Sequence, residues 1–151
     1  MEDFKVLLVD DEQDFVESLA ERVKLRDVES DVALNGKEAL ARVEQDVPDV
    51  MVLDLKMPGI DGMEVLRRVR KAYPDVQVIM LTAHGTDKDE EEARRLGADE
   101  YLRKPVPIDR LVKVMKAAYK KKLEASMVAA TFAQAGEFET ARKIMTDEEK
   151  D

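Results

Sequence analysis

Val50-Met51-Val52-Leu53 is an unbroken apolar run, closed by Asp54 and followed closely by Met57-Pro58-Gly59. A short apolar run bounded by turn signals reads as a central strand of a parallel sheet, buried on both faces. Met57-Pro58-Gly59 stops the strand and opens a loop. Asp54 is thereby assigned to the carboxyl edge of the sheet, where open α/β sheets bind their ligands.

The rest of the chain supplies what such a strand needs. Phe4 to Val9 reads as a first strand ending in Asp10-Asp11-Glu12. An amphipathic helix follows, with Phe15, Leu19 and Val23 at i, i+4 and i+8. Val28 to Leu34 is a second strand, and after the Asn35-Gly36 turn Ala39, Leu40 and Val43 mark a second helix. Pro48 ends that connection. Met63, Leu66 and Val69 give a third helix, with Tyr73-Pro74 as its stop. Val76 to Leu81 is a fourth strand that runs into Thr82-Ala83-His84-Gly85. Asp87 to Leu96 predicts a weakly apolar helix capped by Gly97. Tyr101-Leu102 is a short fifth strand before Lys104-Pro105, and Ile108, Leu111, Val112, Met115 and Tyr119 mark a fifth helix. Strands alternating with helices over short connections imply an α/β fold, a parallel sheet covered on both faces.

Lys120-Lys121-Lys122 marks a change in composition. Residues 1–121 are read as one domain and 122–151 as a C-terminal helical extension without a separate output domain. Leu123 to Ala135 reads as helix, Gly136 as a break, and Phe138, Ala141, Ile144 and Met145 as a second short helix. Phe132 to Ala141 is similar to the helix-turn-helix of one tetratricopeptide repeat, but a solenoid needs about three copies. The apolar positions of this tail make it a candidate for dimerisation or for docking on the domain.

Composition narrows the function classes. The 151 residues are 44% hydrophobic, enough for a packed core. A net charge of -9 argues against direct nucleic-acid binding. There is no cysteine, so disulfide and thiolate chemistry are excluded. Met1-Glu2-Asp3 shows no signal-peptide character, and no apolar run reaches membrane-spanning length. The expectation is a cytoplasmic protein.

The strand ends carry the chemistry. Strand one ends in Asp10-Asp11, strand three in Asp54, strand four in Thr82, and strand five leads to Lys104. In a parallel sheet these ends share one edge. Three close carboxylates raise one another's proton affinity unless a cation neutralises them. A hard divalent cation with oxygen ligands fits, and Mg²⁺ is the usual one where phosphate also binds. With metal and Lys104 holding phosphate oxygens, an aspartate can attack phosphorus, and the Thr82 hydroxyl can donate to the added group. Singly, each feature has a plainer reading. Asp10-Asp11 caps a helix, Asp54 forms a turn, Thr82 caps a helix, Lys104-Pro105 makes a surface turn and Tyr101 fills the core. Their joint placement at strand ends is what favours chemistry.

In this order and after these strands, Asp10-Asp11, Asp54, Met57-Pro58-Gly59, Thr82-Ala83, Tyr101 and Lys104-Pro105 resemble the receiver domain of two-component response regulators. The likeness covers about residues 3 to 121. It implies a flavodoxin-like, doubly wound, five-stranded parallel sheet of order 2-1-3-4-5. It also implies phosphoryl transfer onto Asp54 from a sensor histidine kinase or phosphotransfer protein, with Mg²⁺. The self-catalysed reactions would be acceptance and autodephosphorylation alone, so the protein is not an enzyme acting on other substrates. By position, Asp11, Asp54 and the Lys56 backbone carbonyl would ligate the metal, and Asp10 would act through metal-bound water. Lys104 would pair with the phosphoryl group, Thr82 and Tyr101 would form the switch, and the Lys104-Pro105 bond would be cis. Phosphorylation would draw in Thr82, let Tyr101 turn inward, and change the surface of helix four, strand five and helix five for a downstream protein target. That surface is a second candidate for homodimer formation. His84 and Lys56 flank the site without an assigned role.

Two other classes compete. Haloacid-dehalogenase-type phosphatases carry a second aspartate two residues after the nucleophile, where this chain has Lys56. A flavodoxin needs a hydroxyl- and glycine-rich phosphate loop after strand one, where Asp10-Asp11-Glu12 would repel phosphate.

Overall fold

The computed structural model describes residues 4–134. Five strands and five helices alternate without exception: β1 (Val6–Val9), α1 (Gln13–Lys24), β2 (Ser30–Ala33), α2 (Gly36–Gln45), β3 (Val50–Leu53), α3 (Gly62–Ala72), β4 (Gln77–Thr82), α4 (Asp87–Arg95), β5 (Glu100–Arg103) and α5 (Ile108–Gln134). All strand pairs are parallel and the order is β2-β1-β3-β4-β5. The expected flavodoxin-like sheet is present.

Alternation within the strands divides the core into two layers. Val6, Leu8, Val50, Val52, Ile79 and Leu81 face α1 and α5. Leu7, Val9, Met51, Leu53, Val78 and Met80 face α2, α3 and α4. Every residue of β1, β3 and β4 is buried, which is why these strands read as continuous apolar runs rather than alternating ones. Truncating a fully buried member such as Met51 or Leu53 to alanine is expected to cost about 2–5 kcal/mol.

The helices follow their apolar stripes with one informative shift. On α1 the buried residues are Val16, Leu19 and Val23, while Phe15 is only partly buried. Its ring sits at the rim of the core, toward the carboxyl edge. In α4 Ala93 is the one buried residue, and the helix is held instead by a capping box of Thr86 and Asp89. Helix α5 passes through Lys120-Lys121-Lys122 without a break. Lys122 there pairs with Asp49 at 2.6 Å. The predicted break at Gly136 and the short helix with Phe138, Ala141, Ile144 and Met145 lie outside the described residues, as does Met1-Glu2-Asp3.

No described helix is long and apolar enough to cross a membrane.

Candidate phosphoryl-acceptor site

The sheet ladder continues one residue beyond several strands and so fixes the site backbone. The Asp10 amide donates to Ala33 O at 3.1 Å, the Asp54 amide to Val9 O at 3.0 Å, and the Lys104 amide to Thr82 O at 3.0 Å. Behind Asp54, the start of α3 packs so closely that a Cβ at Gly62 would overlap the Asp54 carbonyl oxygen. Only glycine permits that approach.

Asp10, Asp11 and Asp54 each present a carboxylate oxygen within 4.8 Å of the other two. Asp10 and Asp54 are 3% and 4% exposed, whereas Asp11 opens to solvent. Asp10 Oδ1 accepts from the Glu12 amide at 2.9 Å. Its Oδ2 accepts from Lys104 Nζ at 2.6 Å. Asp54 Oδ1 is buried and has no hydrogen-bond partner. Burial, and next the charge of Asp10, push the Asp54 carboxyl from 3.8 up to about 6, against the pull of Lys104, Thr82 and the Leu55 amide. An orphaned carboxylate oxygen beside two further carboxylates fits a hard divalent cation with an all-oxygen donor set. Asp10, Asp11 and Asp54 are the residues that would hold it.

Thr82, 1% exposed, sits at the end of β4, and its Oγ1 accepts from the His84 amide at 3.2 Å. Thr82 does not cap α4; that cap is Thr86. Likewise Asp10 and Asp11 are not the N-cap of α1, which is Glu12 with no side-chain cap. The plainer helix-capping readings of these residues therefore fail. The Lys104-Pro105 bond is cis. His84 and Lys56 are exposed beside the site. The charge of Lys56 makes a small contribution to holding the Asp89 carboxyl of α4 below its usual range. Hydrogen bonding to Thr86 is the main cause of that shift.

Tyr101 is buried in this structure, with its hydroxyl beneath Gly85, where a Cβ would overlap it. That hydroxyl has no hydrogen-bond partner, and burial raises its pKa above 10.0. Three contributors escape a reading of the sequence. Arg103 donates to Gly85 O at 2.9 Å and to Asp87 at 3.0 Å, and lies over the Tyr101 ring at 5.8 Å. Glu12 comes within 3.7 Å of Lys104. Phe15 presents its ring to Lys104 Nζ, 3.9 Å from the centroid. Helical periodicity marks Phe15 only as apolar, and nothing local signals that a lysine 89 residues away lies over it.

Comparison with known proteins agrees with this geometry. The family described as "Response regulator receiver domain" matches residues 6–116. The transcriptional regulatory protein PrrA of Mycobacterium leprae is 36% identical over 118 residues, covering 78% of this chain and 51% of PrrA. The chain thus spans about half the length of the curated relatives it matches. The receiver domain of Francisella response regulator 1452 superposes with a TM-score of 0.74 at 33% identity, covering 79% of this chain and 98% of that one. A CheY-like receiver domain from Methanospirillum hungatei JF-1 gives 0.77 at 26% identity, covering 80% and 97%. With its strand order, its strand-end aspartates and a match over residues 6–116, this chain belongs to the response regulator receiver domain family.

Proposed function

We propose that Asp54 accepts a phosphoryl group from the phosphohistidine of a partner kinase or phosphotransfer protein, and that the resulting charge switches a protein-binding surface. The observation that carries this reading is the buried, unpartnered Asp54 Oδ1 set among Asp10, Asp11 and Lys104. A carboxylate oxygen so placed is free to act as a nucleophile.

In this reading Asp54 attacks phosphorus as the bond from phosphorus to the donor imidazole breaks. The electron pair of that bond stays on the imidazole, which leaves as the neutral ring once it carries a proton. Mg²⁺, when bound, would neutralise charge on the phosphoryl oxygens. Asp10 and Asp11 would complete its donor set, with the Lys56 carbonyl as a further ligand expected from the family. Lys104, now paired with Asp10, turns to the phosphoryl group. The Thr82 hydroxyl, at present accepting from His84, donates to the same group. Water later hydrolyses the acyl phosphate. These self-directed steps are the whole of the chemistry, so the protein is a signal carrier and not an enzyme with turnover on other substrates.

The output runs through Thr82 and the Gly85–Tyr101 contact to α4, β5 and α5. A dianion on Asp54 that holds Thr82 favours the arrangement with Tyr101 inside. The downstream partner is a protein that reads this face, and the setting is the cytoplasm.

Incubation with acetyl phosphate tests the reading. One phosphoryl group per chain, gained only with Mg²⁺ and lost in Asp54→Ala, is expected. Rapid repeated hydrolysis of small phosphate esters would overturn it in favour of a phosphatase.

A further inference from the structure

Lys104 is the one described cation that forms an ion pair within the aspartate cluster, and its ammonium is held from two sides. Asp10 Oδ2 lies at 2.6 Å and the Phe15 ring centroid at 3.9 Å. Glu12, at 3.7 Å, has a largely exposed side chain, so solvent screens its attraction. The two closer partners differ in kind. A carboxylate fixes the direction of an N–H bond, whereas a ring face attracts the charge through its quadrupole and leaves the N–H bonds free to turn.

We propose that Phe15 is a positioning residue for Lys104, a π-face seat that keeps the ammonium in the site while it changes partners. The inference rests on the phosphoryl-acceptor reading, because that reading requires Lys104 to leave Asp10. When Asp10 turns to a cation, the ion pair weakens and the ammonium loses its strongest tether. Water would then compete for it. The ring holds it within the poorly solvated site without offering an acceptor that must be broken. This also explains why Phe15 stands at the rim and leaves the buried stripe of α1 to Val16, Leu19 and Val23.

The test uses the full chain with Phe15→Leu, which keeps apolar bulk and removes the π face, and Phe15→Tyr, which keeps both. With Mg²⁺ and acetyl phosphate, Phe15→Leu is expected to slow phosphoryl acceptance about tenfold and Phe15→Tyr by less than about twofold. In a Lys104→Ala background, Phe15→Leu should change nothing further, since a double-mutant cycle isolates the pair. Equal slowing by Phe15→Leu in both backgrounds would assign Phe15 to packing alone and overturn the proposal. A second readout needs no phosphoryl transfer. In the metal-free wild type, proton NMR should place the Lys104 ε-methylene upfield through the ring current of Phe15. An unshifted ε-methylene would refute the seat whether or not Phe15→Leu folds. If the upfield shift is present while wild-type protein accepts no phosphoryl group, the seat stands and the acceptor reading fails.

Discussion

At the amino edge of the sheet, Arg70 of α3 donates to Pro74 O, Val76 O, Gly97 O and Asp99 Oδ2, at 2.6 to 3.0 Å. Asp99 Oδ2 also accepts from the Val78 amide at 2.8 Å. Only Arg70 Nε is left without a partner. At the carboxyl edge, Asp10, Asp11 and Asp54 converge, Lys104 forms an ion pair with Asp10 alone of the three, and the buried Asp54 Oδ1 has no hydrogen-bond partner. Both clusters are charged and well covered. One is nearly saturated by its own chain, which is how a structural clamp is built. The other leaves its valence to be completed from outside, and its cost in the unliganded fold is the sign of a site.

Substitutions at the two edges should therefore act in opposite directions. The largest effect is expected at the amino edge. Arg70→Ala strands Asp99 and three carbonyls, and urea unfolding should show a loss of about 3–5 kcal/mol. Mg²⁺ affinity should not change, and a parallel loss would mean that the two edges are not independent.

At the carboxyl edge the sign reverses. Asp54 has a folded pKa of about 6, above its ordinary 3.8. Folding thus favours the protonated carboxyl. That contribution is complete below about pH 4 and is lost as pH rises through about 6. Without metal, Asp54→Asn should stabilise the protein at pH 8 by about 2 kcal/mol. The gain over wild type should shrink toward zero at pH 4. Thermal unfolding of both proteins across this range, without and with Mg²⁺, checks it. Mg²⁺ should raise the midpoint of wild type and leave Asp54→Asn nearly unmoved. A destabilised Asp54→Asn at pH 8 would mean that the edge is already satisfied.

A smaller effect is expected where the site meets its output. Gly85→Ala sets a methyl group against the Tyr101 hydroxyl and should cost about 1–2 kcal/mol. It should turn the ring outward and bring the Tyr101 pKa back down toward 10, readable by ultraviolet titration against Tyr101→Phe. An unmoved titration would show that the loop yields instead of the ring.

The same contrast explains what the sequence made legible. β1, β3 and β4 were readable because burial on both faces leaves continuous apolar runs. The acceptor edge was readable because strand ends put Asp10, Asp11, Asp54, Thr82 and Lys104 on one border whatever the details of packing. The amino-edge clamp was invisible. Arg70 and Asp99 are 29 residues apart, and each alone is an ordinary charged surface residue. Periodicity places Phe15 correctly against the core, where it is partly buried, but not over Lys104, because that partner lies on another element. Arg103 was missed for the same reason as Arg70: its partners Gly85 and Asp87 come from another element.

The central claim is that Asp54, and no other carboxylate of the cluster, forms the covalent bond to phosphorus. Borohydride reduction of protein treated with acetyl phosphate and Mg²⁺ converts an aspartyl phosphate to homoserine, which peptide mass analysis locates. Homoserine at position 54 alone is the predicted result. Homoserine at position 10 or 11, or no conversion in protein shown to bind Mg²⁺, would contradict it.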